Sequence, residues 1–370
     1  MTRSLFLLFG DIDFDLRVRR MMDIASALGE VALLDCSERQ TPDDGRPYQS
    51  WRLHLRSGWG VGRRHLSFWR TAVRRARVYR PDIIFAEDFF AAFPGWLCAR
   101  AVGAKLVYDA HELIVPEEGK KQSRRAAFWY RLERFVVSRA DLVIAANPER
   151  AEVMKAHYGL AKRPAVMRNI PPYRAITAAE AEKALESYPA LRRRGPDDRI
   201  LLYQGDVSLA RGLERFIKLL DHLPDNYRLV IAGSGPDLEK VQALGAVHAA
   251  AGRFATLGRV PGEVLPAVTK HADIGIVTYP FEGLNNIYCA PNKVYEYLMA
   301  GIPIISSNQP TIDAISRDYE SVHLFDRKDD WEKLTFIIQS ISKNNGNYVE
   351  FSNIIEEDRS ILHRDLENIS

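Results

Sequence analysis

Lys293 and Glu296 stand three residues apart in "APNKVYEYLMAGIPIISS", residues 290–307. Val294, Leu298 and Ile302 recur at every fourth position, which predicts one buried helical face, and Gly301 and Pro303 supply a stop before the strand "IPIISS". Residues three apart on a helix share a face. A cation and a carboxylate near the helix start would then be aimed together at whatever lies beyond it; the alternative is an ion pair on a solvated surface. A second pattern with chemistry in it comes earlier. "LLYQGD" followed by "VSLARGLERFIKLL" reads as a strand, a glycine turn and a helix beginning near Arg211 and Gly212. Backbone N–H groups at such a start, with a guanidinium beside them, suit a phosphate. "VIAGSGP" and "TLGRVP" are two more strand-to-helix turns with glycine, each weak alone because any such turn uses glycine for its backbone geometry. In the first half of the chain, "YDAHEL" leaves a strand at Asp109 and carries His111 and Glu112.

These residues need a scaffold. At 370 residues the chain is long enough for two domains, each with its own core. With 46% hydrophobic and 27% charged residues it has an ordinary globular composition, and no apolar run approaches the roughly eighteen residues of a membrane span. "LFLLFG" runs straight into Asp11, Asp13 and Asp15 and reads as a first buried strand rather than a signal peptide. Cys36, Cys98 and Cys289 match no metal or redox spacing, so buried thiols in a reducing cytoplasm are expected. Short Val-, Ile- and Leu-rich runs alternate with helix-length stretches: "SLFLLFG", "EVALLDC", "DIIFAE", "KLVYDA", "DLVIAAN" and "AVMRNI", then "RILLYQG", "RLVIAG", "FATLG", "IGIVTYP" and "PIISS". That is how parallel strands buried on both faces look. Two Rossmann-like, doubly wound α/β domains are expected, over residues 1–175 and 198–350, with 176–199 as the connection and the helix 355–370 crossing back to the first. Ligands of such sheets bind outside the carboxyl ends of the strands, so a cleft between two facing domains is the expected site.

On "YQGDVSLARGLE", "VIAGSGP", "TLGRVP", "HADIGIVTYP" and "NNIYCAPNKVYEYLMAGIPII", with "DLRVRRMMDIASALGEV", "RPDIIFAEDFFAA" and "LVYDAHEL" ahead of them, the chain resembles the GT-B glycosyltransferases, and among them the GT4-like group (family 4, group 1) that uses nucleotide sugars. The resemblance covers roughly residues 4–310. It implies a transferase moving sugar from a nucleotide-diphosphate donor to a glycan or lipid-linked hydroxyl, as in surface or capsular polysaccharide synthesis. By the same resemblance Glu296 accepts hydrogen bonds from the ribose, and Lys293 and Arg211 neutralise the diphosphate. Gly205, Arg259, Val260 and Asn292 complete the expected donor set, with Asn286 and Tyr288 as polar substitutes where the family's first glutamate is missing; Gly10, with Asp11, is an acceptor or diphosphate loop that lets the backbone approach closely, or is simply a turn. His111 matches a histidine that faces the donor sugar. Glu112 or Asp88 would be the general base of an inverting enzyme, because an attacking hydroxyl must lose its proton. Fixed cations stabilise a leaving diphosphate, so neither a metal nor a cofactor is expected. The family pattern has two glutamates eight apart, whereas here Tyr288 precedes Glu296 by eight, and Asp206 stands where an arginine often follows the first-turn glycine. Retention is the outcome preferred over inversion. An epimerase of the same fold, or a nucleotide-sugar-binding subunit without activity, are the alternatives.

Charge is unevenly spread. Residues 1–175 carry ten positive charges in excess and the remainder seven negative, for a net of +3. From Gly45 to Pro81 there are ten arginines and no acidic residue, interleaved with Trp51, Trp59, Phe68 and Trp69, and "KKQSRRAAFWYRLERF" follows at 120–135. Such segments suit an anionic membrane surface, which places the protein peripherally on the inner face of the membrane. A solvated surface is the competing reading, and nucleic acid the weakest of the three.

Overall fold

The computed structural model describes residues 1–38, 46–117, 119–172, 174–342 and 348–370. Gly45, at the head of the Arg-rich segment, and residues 343–347, inside the expected second domain, lie outside the described residues. The chain divides into two compact units, Met1–Asn169 with Asn353–Ser370, and Ile170–Ser352.

In the first unit, strands β1 (Thr2–Leu8), β2 (Gly29–Ser37), β3 (Gln49–His54), β4 (Ile83–Glu87), β5 (Lys105–Ala110), β6 (Leu142–Ala145) and β7 (Ala165–Val166) form one parallel sheet in the order β3-β2-β1-β4-β5-β6-β7. Its helices are α1 (Leu16–Ser26), α2 (Val61–Tyr79), α3 (Asp88–Val102), α4 (Arg124–Val137) and α5 (Pro148–Tyr158). β1 shows why the strands are continuous apolar runs: it is central, with Leu5 paired to Ala32 on one side and Ile84 on the other, and Leu5, Phe6 and Leu7 are fully buried. Polar side chains start the helices, Asp15 accepting from Val18 N at α1 and Asn147 from Arg150 N at α5.

The second unit holds α6 (Ala178–Ser187), β8 (Arg199–Gln204), α7 (Leu213–Leu219), β9 (Tyr227–Ala232), α8 (Leu238–Leu244), α9 (Ala246–Ala250), β10 (Phe254–Gly258), α10 (Leu265–Thr269) and β11 (Ile274–Val277). It continues through α11 (Leu284–Ile287), α12 (Asn292–Met299), β12 (Ile304–Ser307), α13 (Pro310–Asp318), β13 (Val322–Phe325) and α14 (Trp331–Ser340). The sheet is parallel, in the order β10-β9-β8-β11-β12-β13. The terminal helix α15 (Ser352–Ile369) seats Leu362 and Leu366 in the first unit's core beside Met167.

Three features differ from expectation. Residues 176–199 do not simply connect: a Thr177–Glu180 capping box starts α6, and His271 Nε2 bonds to Ala181 O (2.8 Å), so the segment belongs to the second unit. β3 and β13 escape the apolar-run pattern: both are edge strands, β3 is nowhere fully buried and β13 only at its two ends, so neither needs an unbroken apolar run. In the 290–307 stretch, α12 is only eight residues long; Val294 and Leu298 form its buried face, while Ile302 lies beyond the left-handed Gly301 (φ 69°) and is buried outside the helix.

Candidate functional site

Both sheets reverse strand order once, the first between β1 and β4 and the second between β8 and β11. The carboxyl ends at such a reversal flank an open crevice. In the second unit this is where Lys293 goes. Its Nζ lies 4.5 Å from the Tyr203 ring centre and 5.7 Å from that of Tyr279, and the Arg211 guanidinium carbon sits 4.6 Å from the same Tyr279 ring centre. Tyr279 stands two residues after the end of β11. Gly205 just after β8 has φ 129°, and a Cβ there would lie 3.0 Å from Lys293 Nζ, so glycine is needed both for the backbone and for the ammonium. Glu296 does not pair with Lys293. Its Oε2 accepts from the Gln204 amide, whose Oε1 accepts from Thr269 Oγ1 (2.9 Å). Among the described residues, no carboxylate lies within ion-pair reach of Lys293 or Arg211. Loss of water and the nearby Arg211 push the Lys293 pKa down to about 8, while burial raises that of Glu296. Two cations around one tyrosine ring, with a carboxylate one helical turn away, make a place for a polyanion that also carries hydroxyls.

Other residues of the expected donor set lie on the loops and helices of the same unit. Asn292 is the exposed first residue of α12, Asn286 Nδ2 donates to Glu282 O (3.0 Å), and Tyr288 ends α11. Arg259 and Val260 follow the edge strand β10, two strands away from β8. The glycines of "VIAGSGP" have a packing role: a Cβ on Gly233 would lie 1.8 Å from Gly205 O, and one on Gly235 2.3 Å from Val207 O. The phosphate-type helix start expected after Gly205 is modest, since α7 has seven residues and follows a 3-10 turn, Leu209–Arg211. Exposed Asp206 accepts from Tyr203 O–H through its backbone carbonyl (2.6 Å).

In the first unit the ends of β4 and β5 bring Glu87, Asp88, Asp109 and His111 together. His111 Nε2 is 2.9 Å from Glu87 Oε2 and 3.6 Å from Asp109 Oδ2, and Nδ1 is 3.8 Å from Asp15 Oδ2. Glu87 and Asp109 are fully buried. Arg17 donates to both Asp109 oxygens, from Nε (2.9 Å) and Nη2 (2.5 Å), and from Nη1 to Met167 O (2.6 Å) and Asn169 Oδ1 (2.8 Å). Burial lifts the Glu87 carboxyl to about 7; burial acts the same way on Asp109, but Arg17 and His111 outweigh it and hold that group at about 2. His111 lies well above its ordinary value, because hydrogen bonds to Asp109 and Glu87 overcome burial. Glu87, Asp109 and His111 offer one ligand atom each within 4.8 Å of one another, a metal-sized grouping, but the Asp109 charge is already met by Arg17. Asp88 opens α3 in the left-handed region, at φ 64°, with Oδ1 buried and unpartnered and its carboxyl raised to about 6 by burial and by Glu112. Glu112 itself is exposed.

Gly10 and Asp11 are less open to a substrate than expected. Asp11 accepts from Ser37 Oγ (2.8 Å) and Arg52 Nη2 (2.9 Å), and Gly10 O accepts from Cys36 N (3.0 Å). Nothing in the Gly10 backbone demands glycine: its φ is not positive, and a Cβ would meet only Leu8 at 3.5 Å. Arg52 also holds buried Asp35 (2.5 Å) and Asp13 (3.2 Å), and Arg46 pairs with Asp13 (3.0 Å). These two arginines of the basic stretch are therefore internal counter-charges rather than surface. The individual residues missed in the sequence are Arg17, Glu87, Gln204, Tyr279 and Arg150. Glu87 had a signal, as it ends a strand beside Asp88.

Two parallel-sheet α/β units with polar side chains gathered at both strand-order reversals define a GT-B fold. Its likeness to solved structures is extensive. A sucrose-phosphate synthase from Thermosynechococcus elongatus superposes with a TM-score of 0.73 at 17% identity, covering 100% of this chain and 99% of that one. Anabaena HepE in complex with UDP and glucose gives 0.72 at 16%, with the same coverage. The family model described as "Glycosyl transferase 4-like domain" matches residues 17–170, and "Glycosyl transferases group 1" matches 189–358. The chain belongs to the GT4-like, group 1 glycosyltransferases. Among curated relatives, a 2-deoxystreptamine glucosyltransferase of Streptomyces kanamyceticus is 24% identical over 63% of this chain and 61% of its own length. A D-inositol 3-phosphate glycosyltransferase of Xylanimonas cellulosilytica is 26% identical over 44% of this chain and 41% of its own length. The chain thus spans less than two thirds of either relative.

Proposed function

We propose that this protein transfers a sugar from a nucleotide-diphosphate sugar to a hydroxyl of a glycan or lipid-linked acceptor, with retention and without a metal or cofactor. One observation carries the reading: Lys293 and Arg211 hold two cations around Tyr279, with no carboxylate in ion-pair reach among the described residues and Glu296 one helical turn along, at the β8/β11 reversal. A diphosphate satisfies the cations, and a ribose hydroxyl donates to Glu296. As the glycosidic bond breaks, the diphosphate gains charge, and cations already in place stabilise that state more than the ground state. UDP and UDP-glucose complexes of the structurally similar HepE support a donor of this class. The decisive experiment titrates the protein with a panel of nucleotide diphosphates and their sugars, following thermal stabilisation and then turnover. Stabilisation by none of them, or equal stabilisation of a Lys293→Met/Glu296→Ala double variant, refutes the reading.

For the acceptor side we propose that an anionic membrane surface is met by α2. No helix among the described residues is long and apolar enough to cross a membrane. α2 instead carries six arginines and no acidic residue, and a groove of about 520 Å³ runs along it, lined by Leu66, Trp69, Val73, Val78 and Leu97 with Arg70, Arg74 and Arg77 at its edge. Apolar side chains between cations are what a headgroup layer takes up.

A further inference from the structure

The buried carboxylates around His111 have a purpose that follows from their geometry, and their role in turnover rests on the transferase reading above. Among the described residues the charged groups facing the ring are Asp15 capping α1 and Arg17 on it, Glu87 ending β4, Asp88 opening α3, Asp109 on β5 and Glu112 in the loop beyond it, with Arg150 of α5 donating to the His111 carbonyl (2.6 Å). Arg17 consumes Asp109, gripping both of its oxygens from a side chain itself 7% exposed. Glu87 has no such cation. Its Oε2 faces only His111 Nε2, at 2.9 Å, and its Oε1 is buried without a partner. In its ionised form, which the His111 ring favours against burial, Glu87 can only accept, and Nε2–H is then its one hydrogen-bond donor. The other ring nitrogen, Nδ1, is 3.8 Å from the partly exposed Asp15 carboxylate and is the one left for a ligand.

We propose that Glu87 is a positioning residue for His111: it accepts a hydrogen bond from Nε2–H, fixes the ring against rotation with Arg150 pinning the backbone, and so assigns Nδ1 as the nitrogen that works on the substrate. Asp109 and Arg17 reinforce this as a rigid ion pair on the same side of the ring. With two carboxylates behind it, the ring stays doubly protonated near neutral pH, and Nδ1 is a hydrogen-bond donor to a substrate oxygen rather than a base. Proton removal from the acceptor then falls to another group or to the departing diphosphate.

The test is nitrogen-15 NMR of histidine-labelled full-length protein, with kinetics alongside. In the parent, His111 should show protons on both nitrogens at pH 7, the Nε2 proton surviving longest as pH rises. Glu87→Gln keeps the shape but removes the charge, and should lower the His111 midpoint by about one pH unit or more, while nucleotide-diphosphate binding is unchanged. It should also cut kcat on the order of tenfold, with KM for the donor nearly constant. The parent spectrum decides the matter even if the variant fails to fold: a neutral ring with its single proton on Nδ1 overturns the proposal. So does a folded Glu87→Gln protein with the parent's His111 midpoint. A chain that turns over no nucleotide sugar yet shows the Nε2 proton and the shifted midpoint refutes the transferase reading and supports the positioning role.

Discussion

Lys293 is partly enclosed beside a second cation with no carboxylate in ion-pair range among the described residues, an arrangement that destabilises the ligand-free chain and that an anion bound as proposed would relieve. Its folded pKa of about 8 is below the ordinary 10.5, so the cost is fully present below pH 8 and fades as pH rises toward 10.5. Lys293→Met should therefore raise the thermal midpoint of the ligand-free protein at pH 7, and the gain over the parent should shrink by pH 10. The same variant should weaken nucleotide-diphosphate binding by roughly ten- to a hundredfold, as expected for one charge-assisted interaction. A variant that loses both stability and binding would show Lys293 to be structural. On the proposed binding mode, in which only the ribose meets that carboxylate, Glu296→Ala should weaken binding of a nucleoside diphosphate by about tenfold but leave inorganic pyrophosphate unaffected. Turnover should survive EDTA, since Lys293 and Arg211 already supply the positive charge; activity abolished by EDTA and restored by Mg²⁺ would contradict this.

At the scale of elements, one buried carboxyl joins three of them. Glu133 on α4 is 1% exposed, accepting from Tyr108 O–H of β5 (2.5 Å) and from Tyr158 O–H at the end of α5. Burial raises it from an ordinary 4.5 to about 7, so the folded chain binds more protons than the unfolded one between those values. Stability should fall as pH climbs through that window. Glu133→Gln lacks the proton, and its thermal midpoint relative to the parent should improve from pH 5 to pH 7.5 and then level off. A difference independent of pH would mean that Glu133 is charged throughout. For α2, replacing Arg70, Arg74 and Arg77 with Gln should abolish salt-sensitive binding to vesicles containing acidic lipid, at about 1 kcal/mol per cation, and should leave nucleotide titrations unchanged. Unaltered vesicle binding would release α2 from that role. The basic stretch could not be divided by inspection into inward and outward arginines, because Arg46 and Arg52 are neutralised by Asp11, Asp13 and Asp35, all earlier in the chain.

Over the whole molecule, α15 returns to the first unit, where Leu362 and Leu366 are fully buried and Asp358 accepts from Arg168 N (2.8 Å) and ion-pairs with its guanidinium. Leu366→Ala should cost about 2–5 kcal/mol, and hydrogen exchange should report it in the first unit while the second keeps the parent's protection. Loss spread evenly over both would mean that the units unfold as one. What the sequence determined by itself was whatever local pattern encodes: parallel strands, because burial on both faces requires unbroken apolar runs, and the strand-end turns with Lys293 and Glu296, because glycine turns and a helical spacing of three are short-range signals. Tertiary structure alone decided which groups meet. Arg17 and Asp109 are 92 residues apart and Gln204 and Glu296 are likewise 92 apart, joined because helices α1 and α12 bring Arg17 and Glu296 against the ends of strands β5 and β8 that carry their partners. It also decided that Lys293 and Glu296 face different partners rather than each other. Strand order and register are set by the packing of the whole sheet, and no stretch of chain contains that information locally.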